Sequence, residues 1–299
     1  MDTNFIVIFS YFIVIYRIVQ LYEVLIAMSF QNQFTKTTTD ANLMETVHHG
    51  SAEYPFRYYY ENIALFDFKC IDWHWHSELE FIYIESGNVV FDIGTVHFEL
   101  NEGNGIMINS KILHRLQSSS DAIIPNFLFQ PSFIAPQDSL IYKKYINPVI
   151  SSSLEYLVFQ PDIPWQKKAL EIIKTIIAVQ ETEFNREIIV SMSVQQLWIL
   201  LLENLTFDQF ENMGAVISRT RLQLMMQYVH AHYSENITLE DIARTANISK
   251  STALHLFQNN LKLTPVKYLI NYRLTQAALL LINTEEKIAT ISNNTGFNN

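Results

Sequence analysis

Between residues 237 and 297, apolar positions recur at helical spacing, broken by short polar stretches. Leu239, Ile242, Ala243 and Ala246 form one apolar face. It opens on Thr238 with Asp241 three residues on, a capping-box pattern. Asn247 follows and suits a tight turn, because Asn tolerates the left-handed conformation. Ser249 is an N-cap for a second helix with core positions at Ala253, Leu256, Phe257 and Leu261. Its opposite face carries Lys250, Ser251, Leu254, His255 and Gln258, with Thr252 beside them. Thr264-Pro265 opens a long helix through Val266, Leu269, Ile270, Arg273, Leu274, Ala277 and Leu281. Thr284 is expected to cap one more, with Ile288, Ala289 and Ile291, ending at Thr295-Gly296-Phe297. Two short helices around a polar turn have the layout of a helix-turn-helix, which sets its second helix in the DNA major groove. Side chains of the stripe then read base edges, and Leu254 meets a thymine methyl. The spacing alone fits an ordinary helical hairpin with a solvated face equally well.

Further upstream the texture changes. From residue 47 to about 130 the apolar runs are short and β-rich: 81–85, 89–93, 96–100 and 106–108. Ser86-Gly87-Asn88, Gly94 and Gly103-Asn104-Gly105 punctuate them, which predicts a small barrel or sandwich. Residues 151–214 return to helical spacing. Ala169, Ile172, Ile173, Ile176 and Ile177 mark one helix; Ile189, Met192, Leu197, Leu200 and Leu201 mark the next. Such faces serve as intramolecular core or as a dimer contact, and the pattern does not choose. Residues 208–214 are the expected interdomain linker.

The strand region holds the candidate chemistry. His74-Trp75-His76, Glu80 and Gly87 are spaced H-x-H-x3-E-x6-G, and His114 lies further on. Histidines at i and i+2 on a strand share a face, so His74 and His76 can point to one ligand or metal ion. Trp73 and Trp75 are candidates to stack on a sugar or to fill core, and Tyr58, Tyr59 and Tyr60 have the same two readings.

Two resemblances follow from these residues. The C-terminal run resembles the DNA-binding domain of the AraC (arabinose-operon regulator) family through Ile237-Thr238-Leu239, Asp241-Ile242-Ala243, Ile248-Ser249, Phe257, Thr264-Pro265, Tyr268-Leu269, Arg273-Leu274, Ala277, Leu280-Leu281 and Gly296-Phe297-Asn298. It implies two helix-turn-helix units joined by a long helix, with recognition helices in successive major grooves. Asn299 falls where the second recognition helix would begin, so the second unit is expected to be incomplete. Leu254 stands where many members carry a polar residue. The histidine spacing resembles the first two motifs of the cupin barrel, and residues 102–109 through His114 resemble the effector-binding barrel of the same regulators. That barrel implies a metal-free effector pocket of His74, Trp75, His76, Glu80 and His114. Metal-dependent cupins imply a divalent ion on His74, His76, Glu80 and His114 instead.

Composition narrows the picture. The net charge of −10 argues against nucleic acid at first. Residues 216–299, however, hold 8 Lys+Arg against 5 Asp+Glu, while residues 1–215 hold 12 against 25. The acidity lies outside the part expected to touch DNA. The single cysteine, Cys70, makes no internal disulfide and suits a reducing cytosol. Residues 5–30 are apolar but interrupted by Arg17 and Glu23. They read as sequence upstream of a true start at Met28 or Met44, as a membrane anchor, or as a buried helix.

The reading is an α+β chain: an apolar extension (1–44), a cupin-like effector barrel (45–150), a helical linker or dimerisation region (151–214), and an all-α helix-turn-helix domain (215–299). It predicts a cytoplasmic, sequence-specific transcription regulator rather than an enzyme, with no cofactor. Expected partners are promoter DNA, a small effector such as a sugar, a second copy of the chain, and RNA polymerase if it activates. DNA contacts are expected from Ser249, Lys250, Ser251, Thr252, Leu254, His255 and Gln258. The alternatives are a metal-dependent cupin isomerase or dioxygenase, and a nonfunctional truncated remnant.

Overall fold

The computed structural model describes residues 37–297 apart from 41–42, 95, 183, 206–212 and 262. The apolar stretch 5–30 and most of the expected linker lie outside the described residues. No helix among the described residues is long and apolar enough to cross a membrane.

Nine strands pair antiparallel in two sheets among the described residues: β1 Phe56–Asn62, β2 Cys70–His74, β3 Leu79–Tyr83, β4 Asn88–Ile93, β5 Val96–Asn101, β6 Gly105–Ile108, β7 His114–Gln117, β8 Ile123–Phe129 and β9 Tyr156–Phe159. One sheet has the order β1-β8-β3-β6-β9 and the other β2-β7-β4-β5. Alternation explains the layers. Ile82, Val89, Phe91, Ile93, Ile106, Ile108, Leu116 and Ile124 point between the sheets and form one buried cluster. On the five-stranded sheet the intervening residues point outward. There Phe81 stacks on Phe127, Phe129 and Phe159, with ring centroids 5.3–6.3 Å apart.

That aromatic face is covered by helices α1 Pro164–Ala178 and α2 Arg186–Asn204. Covering on both faces is why β3 is almost continuously apolar and buried. α1 buries Ala169, Leu170, Ile173 and Ile176. α2 buries Val190, Val194, Leu197, Trp198 and Leu201. Ile189 and Met192, expected on that same face, are exposed. The sequence of α2 is apolar almost all round, so periodicity does not select its buried side.

Five further helices follow: α3 Met213–His232, α4 Leu239–Thr245, α5 Lys250–Leu261, α6 Pro265–Asn283 and α7 Ile288–Asn294. Thr238 and Asp241 form the expected capping box on α4. Asn247 turns the chain at φ 53°. Ser249 Oγ accepts from Thr252 N at 3.2 Å at the start of α5, and Thr264 caps α6. Thr284 does not open α7; it closes α6, and Lys287 stands at the start of α7. The Thr284 N–H bonds Leu280 O, so that turn spends Thr284 on the preceding helix.

Gly296 needs its φ of +79° and its missing side chain: a Cβ there would lie 2.6 Å from Tyr233 O and 2.8 Å from Arg273 Nε. The Arg273 guanidinium donates to Tyr233 O and Glu235 O, both at 2.6 Å. Two residues far apart in the motif thus fasten the same loop.

The barrel and the helical domain share a core. Leu43, Trp73 and Leu113 from the barrel side cluster with Leu222, Met225, Met226 and Val229 of α3 and with Ile242, Phe257 and Leu269.

Candidate effector site and nucleic-acid interface

Three histidines and a glutamate meet inside the barrel. Their potential ligand atoms all lie within 4.8 Å of one another, and all four residues are buried. β3 supplies Glu80, on the same inward face as Ile82. β7 supplies His114, two residues before inward-facing Leu116. β2 supplies His74 after a register shift between Ile71 and His74. That irregularity lets Ile71 and His74 both line the interior, while Asp72 and Trp73 both line an outer cleft. His76 follows just beyond the strand.

Backbone carbonyls orient the imidazoles. His74 Nδ1 donates to Asp72 O (2.7 Å), His114 Nδ1 to Ile112 O (2.8 Å) and His76 Nδ1 to Glu78 O (3.2 Å). A carbonyl only accepts, so each Nδ1 carries a hydrogen and Nε2 is the ring nitrogen left for other partners. Glu80 Oε2 lies 3.3 Å from His76 Nε2 and 3.1 Å from His114 Nε2. His114 Nε2 is nonetheless buried without a hydrogen bond.

The electrostatics follow from burial. Desolvation, then the neighbouring His114, pushes His74 down to about 3, so it is neutral near pH 7. Burial alone would raise Glu80, but His114 and His76 more than offset it and hold the carboxyl well below the usual range. His76 is disfavoured as a cation by burial and favoured by Glu80, with a net upward shift.

Sequence reasoning missed most of a second ring of polar residues here. Glu45, His49, Glu61 and Asn126 join the candidate Tyr59 in lining the same cavity of about 40 Å3. His49 bridges Tyr59 Oη (2.9 Å) and Glu45 Oε2 (3.1 Å), and Asn126 Nδ2 donates to Glu61 Oε2 (2.8 Å). The available signal was a polar residue at inward register in an otherwise apolar strand, as at Asn126. Trp75, expected in the pocket, packs instead on the cluster shared with the helical domain. It lies one residue from both His74 and His76, and side chains alternate across an extended chain. Tyr59 faces the cavity, whereas Tyr58 packs against the aromatic outer face.

The expected reading stripe is on the surface. Ser249, Lys250, Ser251, Thr252, His255 and Gln258 are exposed, and Leu254 is half-buried. Ala253 and Phe257 on the other side of α5 are buried. Lys250 Nζ rests 3.3 Å from Glu240 Oε2, an exposed pair that DNA phosphate can displace at little cost. Asn259 Nδ2 donates to His255 Nε2 at 2.9 Å.

Comparison with known proteins bears on both sites. The model described as "AraC-like ligand binding domain" matches residues 66–136, and a helix-turn-helix domain model matches residues 242–299. An uncharacterized HTH-type transcriptional regulator of Bacillus subtilis, YdeC, is 33% identical over 266 residues, which is 87% of this chain and 89% of that protein. The chain belongs to the AraC family. It is a DNA-binding transcription regulator with an effector-binding barrel, and not an enzyme. The lactose operon transcription activator of Staphylococcus xylosus is 26% identical over 56% of this chain and 62% of its own length. The HTH-type activator RhaR of Mannheimia succiniciproducens is 23% identical over 75% and 78%. Among solved structures, ToxT from Vibrio cholerae O395 aligns over 81% of this chain and 88% of its own at 14% identity, with a TM-score of 0.36. At that score the strand order above, not the overlay, carries the fold. The residues matched by the helix-turn-helix domain model include α5 and its exposed stripe.

Proposed function

We propose that this AraC-family regulator holds a small effector on His74, His76, Glu80 and His114 and transmits its occupancy to the DNA-binding helices through β2 and β7. One observation carries the reading. His74 lines the cavity and His114 meets the cavity-lining Glu80, while their chain neighbours Trp73 and Leu113 are embedded in the core shared with α3. A shift of either strand that accommodates a ligand must repack that core, and cores of this density move between discrete arrangements. Coupling is then a difference in ligand affinity between two arrangements.

On the DNA side, Lys250 contacts phosphate, and Ser251, Thr252, Leu254, His255 and Gln258 face base edges, with Ser249 at the helix start. The relatives named as activators support activation, and hence contact with RNA polymerase, as the mode of action. Exposed Ile188, Met192 and Ile199 on α2 are the surface we assign to a second copy of the chain. Action on promoter DNA puts the protein in the cytoplasm.

A sugar effector is supported by one relative's lactose operon, and size decides where it would sit. About 40 Å3 holds an ion or two or three waters, against the roughly 300 Å3 or more of ordinary ligand pockets. The cleft between the barrel and α6, lined by Asp92, Arg115 and Gln117 and by Asn271, Tyr272 and Thr275, has about 620 Å3. A sugar would therefore occupy the cleft and press on the same strands from outside.

The test is fluorescence anisotropy of the full chain on the DNA upstream of its own gene. Trp73→Ala should change DNA affinity or its response to effector while leaving the circular dichroism spectrum native. DNA binding indifferent to Trp73→Ala and to Leu113→Ala would sink the coupling.

A further inference from the structure

We infer that the cleft between the barrel and α6 is a binding site for a small organic cation, a hydroxylated ammonium ion rather than a neutral sugar or an acid. This rests on the reading above that an effector too large for the barrel interior occupies the cleft, and it names the charge of that effector.

The cleft has two lobes. One of about 620 Å3 adjoins one of about 380 Å3, and Asp72, Trp73, Arg115, Tyr272 and Thr275 line both. Either volume is within the roughly 300–1,000 Å3 of small-molecule sites. The register slip that turns His74 inward sets Asp72 and Trp73 together on this outer side.

Charge is divided unevenly between the walls. Among the described lining residues, the barrel wall carries Asp67, Asp72 and Asp92 against the one guanidinium of Arg115. Arg115 is shared, with Nε 3.3 Å from Asp72 Oδ1 and Nη1 3.8 Å from Asp92 Oδ2. One cation between two carboxylates leaves negative charge over. The Asp72 side chain is 45% exposed, and Arg115 and the Trp73 N–H both meet it on Oδ1, so Oδ2 is the oxygen left to a ligand. The α6 wall supplies uncharged groups: Asn271, Tyr272, Thr275 and Gln276. Burial, then Asp72, holds the Tyr272 hydroxyl above its usual range, so it keeps its proton. Phe68, 53% exposed, lines the smaller lobe and adds aromatic surface, to which ammonium ions are attracted.

These walls discriminate between ligand classes. An acid is repelled by the surplus carboxylates, and partly buried charges are weakly screened. A neutral sugar satisfies hydroxyls and amides but leaves the surplus charge uncompensated. An ammonium group compensates it, while hydroxyls on the same molecule bond α6. Such a ligand ties β2 and β4 to α6, and its affinity therefore differs between arrangements of the two domains.

The experiment is calorimetry on the full chain at pH 7 and low salt with three probes of similar size. N-methylglucamine is the cation, sorbitol the neutral molecule and gluconate the anion; choline is a second, smaller cation. N-methylglucamine should bind at least about 10-fold more tightly than sorbitol, with gluconate weakest, because hydrogen bonds to a charged group are the stronger ones. Asp72→Asn and Asp92→Asn keep the shape of the wall and should each remove most of that preference. Sorbitol or gluconate binding as tightly as the cations overturns the site. So does the absence of heat from both cations at roughly 10 mM, or a preference that both folded variants retain.

DNA anisotropy separates this inference from the reading it rests on. A cation that binds and changes DNA affinity supports both. A cation that binds with the expected preference and leaves DNA affinity unchanged upholds the site and overturns the coupling. A DNA response to sorbitol or gluconate, with both cations silent, upholds the coupling and overturns the cation site.

Discussion

The barrel interior and the face of α5 use similar side chains to opposite ends. Histidines and hydrogen-bonding groups occur in both. Inside the barrel, His74 and His114 are buried, tethered by backbone carbonyls and held at fixed spacing around Glu80. On α5, His255 and Lys250 stand in solvent with one weak partner each. The buried set gains specificity from rigidity, because every polar atom out of place costs a desolvated group. The exposed set must reorient onto a base edge or phosphate, and weak partners leave it free to do so. The two regions meet at the shared core that holds Trp73, Leu113 and α3.

Breaking the packed side should cost most. Phe81→Ala removes the centre of the stacked aromatic face and should lower stability by about 3–5 kcal/mol in urea unfolding. DNA affinity of the remaining folded fraction should not change. A loss below about 1 kcal/mol would show that α1 and α2 collapse into the gap.

Acid should come next, through His230. Burial depresses it to about 4; its Nε2 pairs with Tyr268 Oη at 2.7 Å and its ring stacks on Tyr272 at 3.8 Å. The folded value lies below the unfolded one of about 6.5, so the unfolded chain takes up the proton first. The contribution is complete above about pH 6.5 and is lost as pH falls toward 4. Between pH 7.5 and 5 this is about 2 kcal/mol. His230→Gln should flatten the pH dependence of the melting temperature over that window; an unaltered slope would assign the effect to the barrel histidines instead.

Changes on α5 should be smaller and confined to DNA. Ser251→Ala or His255→Ala should shift preference among binding sites by about 1–3 kcal/mol per lost base contact. Lys250→Ala should weaken all sequences alike and reduce the salt slope by about one unit. Neither should move the melting temperature beyond the effect of a surface substitution, about 0.5 kcal/mol. A large stability loss would remove the contrast with the barrel.

The smallest effect tests the turn between α4 and α5. Asn247→Gly should stabilise by a few tenths of a kcal/mol at most, since glycine relieves the φ of 53° but gains unfolded-state entropy. Asn247→Ala should destabilise; thermal melts of the two variants should fall on opposite sides of wild type.

Much of this was legible in the chain. Thr238, Ser249 and Thr264 cap helices in the structure as their side chains and neighbours suggested, because a cap is a bond within four residues. The grouping of His74, His76, Glu80 and His114 followed from the cupin-like spacing, with alternation relating the two histidines, and is what the structure shows. Trp75 was misread for the same alternation, counted against its histidine neighbours rather than with them. Ile189 and Met192 were misread because α2 offers apolar residues in every direction. Thr284 was misread because a threonine can close one helix as readily as open another.

By itself the sequence determined where α4, α5 and α6 begin, which side of α5 is polar, and which residue types can share a pocket. Those properties rest on bonds and periodicities a few residues long. Only the tertiary structure decided which face each apolar helix buries, that the chain between Ile71 and His74 slips register, and that Trp73 and Leu113 lie back to back with two pocket histidines. It also brought Gly296 against Arg273 and Tyr233. These are long-range choices, made when several surfaces compete for one core, and no local pattern encodes the winner.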